Sequence, residues 1–127
     1  NTKEKNVIIS EYVQHEYYYV GYMIVIGGKI IKKIYFKKSV LPNTVVKGPI
    51  TKYIELDKSD FDDKVFDEIF SLTCYSGFVC IDFMVKENIP IIFEMNPRLG
   101  GSLVKRIDLF EKFIDCLLNS FHNYLQP

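Results

Sequence analysis

Phe78-Val79-Cys80-Ile81-Asp82-Phe83-Met84-Val85, then Lys86-Glu87-Asn88-Ile89-Pro90, then Ile91-Ile92-Phe93-Glu94-Met95-Asn96-Pro97-Arg98 is the stretch that decides the fold. Each apolar run carries one carboxylate, Asp82 in the first and Glu94 in the second. An isolated charge among such neighbours is costly, so a charge kept there usually has a partner or a metal. The polar linker, with an Asn suited to positive φ, predicts an antiparallel hairpin. A loop spanning residues 87–89 would set Lys86 against Pro90 and, counting back, Asp82 directly opposite Glu94. Facing residues share a sheet face, and Asn96 joins them because strand side chains repeat every two residues. Two carboxylates side by side repel unless a cation sits between them. Three hard oxygen donors without histidine or thiolate suit Mg²⁺ or Mn²⁺, and Mg²⁺ commonly completes its shell with water and phosphates. Register is decisive: a loop longer by a single residue would face Asp82 with Met95, on the wrong side.

Gly77-Phe78-Val79-Cys80-Ile81-Asp82-Phe83, a short hairpin, and then Glu94-Met95-Asn96-Pro97-Arg98-Leu99-Gly100-Gly101-Ser102 together resemble the C-terminal half of an ATP-grasp ligase. The resemblance implies Asp82, Glu94 and Asn96 as ligands that hold Mg²⁺ against the ATP phosphates. It implies Arg98 facing the phosphate or an acyl-phosphate intermediate, a task suited to a fixed, always charged fork. Gly100 and Gly101 would let backbone approach the ligand, and Ser102 would cap the following helix, whose N-terminal amides favour an anion. An ion-paired hairpin bridged to Arg98 is the bland alternative, and it leaves the Asn, the Pro-Arg and the glycine pair unexplained together.

Upstream, Ile8-Ile9-Ser10-Glu11-Tyr12-Val13-Gln14-His15-Glu16-Tyr17 resembles the stretch that links the two halves of an ATP-grasp fold. By that resemblance Glu11, Tyr12 and Val13 would meet the adenine through backbone groups, and Glu16 would bind the ribose hydroxyls. His15 stands where many relatives have Gly. The Asn-Pro-Arg wording is closer to carbamoyl-phosphate-synthase-like enzymes and carboxylate–amine ligases than to the D-alanine–D-alanine ligases or the biotin carboxylases.

The chain has 127 residues, of which 48% are hydrophobic, enough for one core in a single domain over its whole length. Sixteen basic and sixteen acidic residues cancel, so nothing in the net charge suggests a strong electrostatic draw to nucleic acid or to an anionic membrane. Cys74, Cys80 and Cys116 are an odd set without paired spacing and read as reduced core residues of a cytoplasmic protein. His15 and His122 are too few and too scattered for a zinc site or a Cys–His nucleophile.

The predicted architecture is α+β, an antiparallel sheet with two main helices, like the C-terminal subdomain of the ATP-grasp fold. Val7–Gln14 reads as a strand, and Tyr17–Ile26 with Lys29–Lys38 as a hairpin around Gly27-Gly28. Residues 41–49 read as loop and 50–56 as a short strand. Ser59 with Asp62 resembles a capping box that opens a helix with Phe61, Val65, Phe66, Ile69 and Leu72 on one face. A last helix from about Leu103 to Leu125 steps through Ile107, Phe110, Ile114, Leu117, Phe121 and Tyr124. Tyr17-Tyr18-Tyr19 suits cross-strand pairing better than base stacking. Of Lys37 and Lys38, alternation allows only one to face a cleft, and the sequence leaves open which one.

The expected function is the ATP- and Mg²⁺-binding half-site of a ligase that activates a carboxylate as an acyl phosphate for attack by an amine or similar nucleophile. The expected partners are ATP, a small-molecule carboxylate and the N-terminal half of the enzyme. No match to that half's phosphate-binding lysines or glycine-rich loop occurs here, so the chain alone is expected to be inactive, and its exposed cleft face favours self-association. A degenerate, non-catalytic ATP-grasp binding module is the alternative, and a metal-dependent nuclease or phosphatase built on the same oxygen ligands is a third reading.

Overall fold

The computed structural model describes residues 16–39 and 54–125. The segments 1–15, 40–53 and 126–127, which include the predicted strand Val7–Gln14 and the loop at 41–49, lie outside the described residues.

A mainly apolar run before Gly27-Gly28 and a mixed apolar and basic run after it build strands β1 (Tyr17–Ile26) and β2 (Lys29–Ser39). Both glycines of the turn sit at positive φ, 54° and 80°, the geometry that a two-residue hairpin connection requires. At Gly28 there is a further reason for the residue type, because a Cβ there would meet the Phe70 carbonyl oxygen at 2.7 Å. Strand β3 (Ile54–Leu56), helix α1 (Lys64–Thr73), strands β4 (Gly77–Lys86) and β5 (Ile89–Asn96), and helices α2 (Gly101–Val104) and α3 (Ile107–Leu125) follow. The strands form one sheet in the order β3-β2-β1-β4-β5 with every pairing antiparallel. Among the described residues the sheet has five strands, and the α+β class, with an antiparallel sheet and two main helices, is as the sequence predicts.

Side chains alternate between two cores. Tyr19, Met23 and Val25 of β1 and Val79, Ile81 and Phe83 of β4 pack with Phe61, Phe66 and Phe70 on the α1 side. Val20, Tyr22 and Ile24 of β1 and Cys80 of β4 pack with Phe36 and with Leu103, Leu109 and Phe113 on the α3 side. Being central and covered on both faces, β1 reads as a continuous apolar run rather than an alternating one.

Both helices depart from the sequence reading in their boundaries. Helix α1 starts at Lys64, not at Ser59. Asp62 accepts a hydrogen bond from the Lys64 amide at 3.2 Å, whereas Asp63, at the N-cap, spends its carboxylate on Lys33 and Tyr35. The buried line is Phe66 and Phe70, a turn apart, which leaves Leu72 on the far side and 85% exposed. The predicted last helix is broken. The chain turns at Lys105-Arg106, and the Arg106 carbonyl accepts from the amides of Leu109 (3.0 Å) and Phe110 (2.9 Å) to start α3 afresh. That break resets the helical phase, so Leu109 and Phe113 meet the sheet and Ile107 is 66% exposed. Cys80 is buried as expected, but Cys74 is exposed, because it stands in left-handed geometry just past the end of α1. Among the described residues no helix is long and apolar enough to cross a membrane.

Candidate functional site

Cross-strand pairing lays a row of residues straight across the sheet on the α3 side: Glu55, Phe36, Val20, Asp82 and Glu94. The next row carries Ile34, Tyr22, Cys80 and Asn96. Asp82, Glu94 and Asn96 therefore share one face, at the β4–β5 edge of the sheet. Helices α2 and α3 pack over the neighbouring apolar residues of that face, where Leu103, Leu109 and Phe113 meet the second core.

Asp82 faces Glu94, but not by the predicted loop. The connection is the two-residue turn Glu87-Asn88, both at positive φ (51° and 68°), and Lys86 faces Ile89 rather than Pro90. Left alone, that shorter turn would place Glu94 against Ile81, on the α1 face. A bulge between Ile92 and Glu94 corrects it: Phe83 pairs with Ile92, Asp82 with Glu94, and Phe93 is the extra residue. Bulges of this kind re-aim side chains beside functional sites.

The two carboxylates differ in setting, contrary to the expectation of a buried pair. Asp82 lies on an inner strand and is 8% exposed, the one charged residue among the buried ones described. Glu94 is exposed, on β5, the outermost of the described strands on that side of the sheet. Asn96 is half-buried. Among the described residues no three His, Cys, Asp or Glu side chains gather as a metal cluster, so a cation here would rest on the two carboxylates and the Asn96 amide oxygen.

Arg98 is exposed, with its amide bonded to the Asn96 carbonyl at 2.8 Å and its guanidinium donating to the Leu99 carbonyl at 3.2 Å. Gly100 has a packing role in addition to the one that the resemblance implies. It is buried at the N-cap of α2, and a Cβ there would meet Tyr22 at 2.7 Å and the Cys80 sulfur at 2.8 Å. Its lack of a side chain lets α2 dock on the sheet. Gly101, by contrast, is exposed, with open space around it. Ser102 falls inside the first turn of α2 rather than at the cap, and the helix behind it has only 4 residues. Glu16 is exposed just ahead of β1, while Glu11, Tyr12 and Val13 lie outside the described residues.

The faces separate Lys37 from Lys38. Lys37 pairs with Tyr19 on the α1 side, where its ammonium meets Asp60 at 2.5 Å and lies 5.1 Å from the Tyr17 ring centroid. The hydrogen bond that the Lys37 ammonium donates to Asp60 holds it above its usual range. Lys38 pairs with Tyr18, on the face of Asp82 and Glu94. Two features of this face were not anticipated. Tyr18 and Phe93 stack across β4 with centroids 5.9 Å apart and planes 19° from parallel. Arg106 grips Asp108 with two hydrogen bonds (3.1 and 3.2 Å) and reaches Glu55 at 3.6 Å, joining the start of α3 to the opposite end of the row. The spacing Arg106-Ile107-Asp108 was a visible signal for the first of these contacts, but nothing local marked the second.

The family model of the ATP-grasp domain matches residues 1–102, a span that contains the hairpin with Asp82, Glu94 and Asn96. The uncharacterized protein MJ0776 of Methanocaldococcus jannaschii is 28% identical over 96 residues, covering 76% of this chain and 23% of the relative. The chain thus spans about a quarter of the length of the curated relative it matches. No solved structure matches it. With a family model covering most of its length, the chain belongs to the ATP-grasp domain family.

Proposed function

We propose that this chain is the ATP- and Mg²⁺-binding half-site of an ATP-grasp ligase of the carbamoyl-phosphate-synthase-like or carboxylate–amine group. The ligase would activate a small carboxylate as an acyl phosphate for attack by an amine or similar nucleophile. The observation that carries the proposal is the placing of Asp82, Glu94 and Asn96 on one face of one hairpin, inside a chain of the ATP-grasp family.

The donor set fits a hard divalent cation, since it offers carboxylate and amide oxygens without thiolate or imidazole. Mg²⁺ bound there supplies positive charge against a nucleotide's phosphate oxygens. Asp82, buried and fixed in the ladder, provides the rigid half of the site, and exposed Glu94 the adjustable half. Arg98, at the end of β5, offers a guanidinium fork to phosphate or acyl phosphate. Gly101, with open space around it, leaves room for an anion near the backbone of the turn. Lys38 brings a further cation to the same face, whereas Lys37 is committed to Asp60 on the other. Glu11, Tyr12, Val13 and Glu16 would take the adenosine by the resemblance of their stretch. The lysines and glycine-rich loop of the family's other half are not matched here, so the proposal includes that the chain alone holds one side of the clamp and does not turn over.

Calorimetric titration with a non-hydrolysable ATP analogue, with and without Mg²⁺, tests this on the wild type and Glu94→Gln. Binding is expected only with Mg²⁺ and with Glu94 present, while Glu94→Gln keeps its fold by circular dichroism. Equal binding by the variant, or binding indifferent to Mg²⁺, overturns the metal assignment. Unfolding of Glu94→Gln would instead mark Glu94 as a structural ion-pair member.

A further inference from the structure

Residues 96–106 cross the α3 face of the sheet from one outer described strand to the other. The crossing starts at Asn96 in β5, and Gly100 seats its middle against Tyr22 of β1 and Cys80 of β4. Leu103 ties it to the second core. It ends at Arg106, whose guanidinium reaches Glu55 of β3 at 3.6 Å. Asp108 holds the same guanidinium through both carboxylate oxygens, at 3.1 and 3.2 Å, which fixes the fork in one orientation. Helix α2, which links Gly100 to Arg106, is a single turn of 4 residues with Val104 51% exposed. Its bonds are long: the Val104 and Lys105 amides lie 3.4 and 3.3 Å from the Gly100 and Gly101 carbonyls. One helical turn does not hold itself, because fixing its dihedrals costs more than its few bonds return. The direction of α2 is therefore set by what its two ends are attached to.

We propose that Arg106, clasped by Glu55 and Asp108, is a positioning residue for the turn at residues 98–101. Arg106 holds the far end of α2, and α2 carries the turn that presents Arg98 and Gly101. All three side chains of the clasp are exposed, so it contributes little to global stability and acts on the local segment instead. The consequence for phosphate rests on the proposed use of Arg98 and Gly101 toward a nucleotide, but the consequence for α2 does not. Glu55 separates a clasp from a general field effect by the sign of its contribution. As a charge alone it repels a triphosphate, and its removal would tighten binding. As the sheet anchor of Arg106, its removal weakens binding.

The test takes two readouts on the wild type, Arg106→Gln, Glu55→Gln and the double variant. Amide hydrogen exchange at residues 103–106 reports the hold on α2 without any ligand, and residues 22–24 of β1 report global opening. Titration with a non-hydrolysable ATP analogue and Mg²⁺ reports the turn. Each single substitution is expected to speed exchange in α2 severalfold and to leave β1 unchanged. Each is also expected to weaken the triphosphate about threefold, the size of one exposed ion pair. The double variant should bind no more weakly than either single one, because both remove the same contact. Unchanged exchange in α2 in both single variants overturns the clasp, as does an equal acceleration in β1. Tighter triphosphate binding by Glu55→Gln beside weaker binding by Arg106→Gln reduces the pair to a field effect and overturns the positioning role. Faster exchange in α2 in a protein that binds no triphosphate even as wild type leaves the clasp standing and overturns the nucleotide reading instead.

Discussion

The two faces of the sheet are built from the same strands in opposite ways. On the α1 face the aromatic rings of Tyr19, Tyr35, Phe61, Phe66 and Phe83 interlock, most pairs edge to face with centroids 5.0–6.2 Å apart. Its charged groups are tied off within the protein, Lys33 to Asp63 at 2.7 Å and Lys37 to Asp60. On the α3 face Asp82 and Glu94 lie in the row of Val20 and Phe36, Asn96 in the row of Tyr22, and Lys38 beside Tyr18. One face spends its sequence on stability and the other leaves polar groups at the sheet edge, where a ligand can reach them. Substitutions on the first should therefore appear in unfolding, and those at the edge of the second in binding.

The largest effect is expected from Phe83→Ala, which removes a fully buried ring that touches Tyr19, Tyr35, Phe61 and Phe66. Chemical denaturation should show a loss of about 3–5 kcal/mol; a loss as small as that of a surface change would break the comparison. Gly100→Ala comes next, because its methyl group must displace buried Tyr22 and Cys80. A cost of about 1–3 kcal/mol is expected from overpacking, measured the same way. A neutral result would mean that α2 lifts off the sheet easily.

The smallest effect concerns Asp63. Burial by itself would raise its carboxyl, but the hydrogen bond and charge of Lys33 and the hydroxyls of Tyr35 and Ser59 outweigh it and hold the group below its usual range. The Tyr35 hydroxyl is pushed the opposite way, far up, by burial first and by Asp63 second. A carboxylate depressed in the folded state adds stability above its unfolded pKa and loses it as the pH falls through the folded pKa. Asp63→Asn should thus cost about 1 kcal/mol near neutrality, the value being kept low by solvent screening. The gap from wild type should close as the pH falls through the lowered folded-state pKa and the carboxyl protonates in both states. A gap independent of pH would show that the contribution is steric. Such a result would make the two faces more alike than their charges suggest.

Much of the candidate site was legible because its signals are local. A carboxylate inside an apolar run, a hairpin turn beside it and an amide two residues further on require only the alternation of strand side chains to be placed on one face. The error in loop length shows how this can mislead. A two-residue turn with a bulge and a three-residue loop without one pair Asp82 with Glu94 equally well. They differ in which face Ile91, Ile92 and Phe93 present, and cores formed by distant residues settle that. The helix errors have the same origin. Periodicity located α1 and α3, but the break at Lys105-Arg106 depends on how α2 docks through Gly100 onto Tyr22 and Cys80.

By itself, the sequence determined that there are two antiparallel hairpins, that the first turns at Gly27-Gly28, and that Asp82, Glu94 and Asn96 belong to one group. Each of these follows from interactions between residues close in the chain. Only the tertiary structure decided that Asp82 is buried and Glu94 exposed, that Lys38 rather than Lys37 shares their face, and that Phe93 is a bulge leaning on Tyr18. Those outcomes depend on strand order, on which strand lies outermost, and on packing between residues far apart in sequence, none of which local spacing encodes.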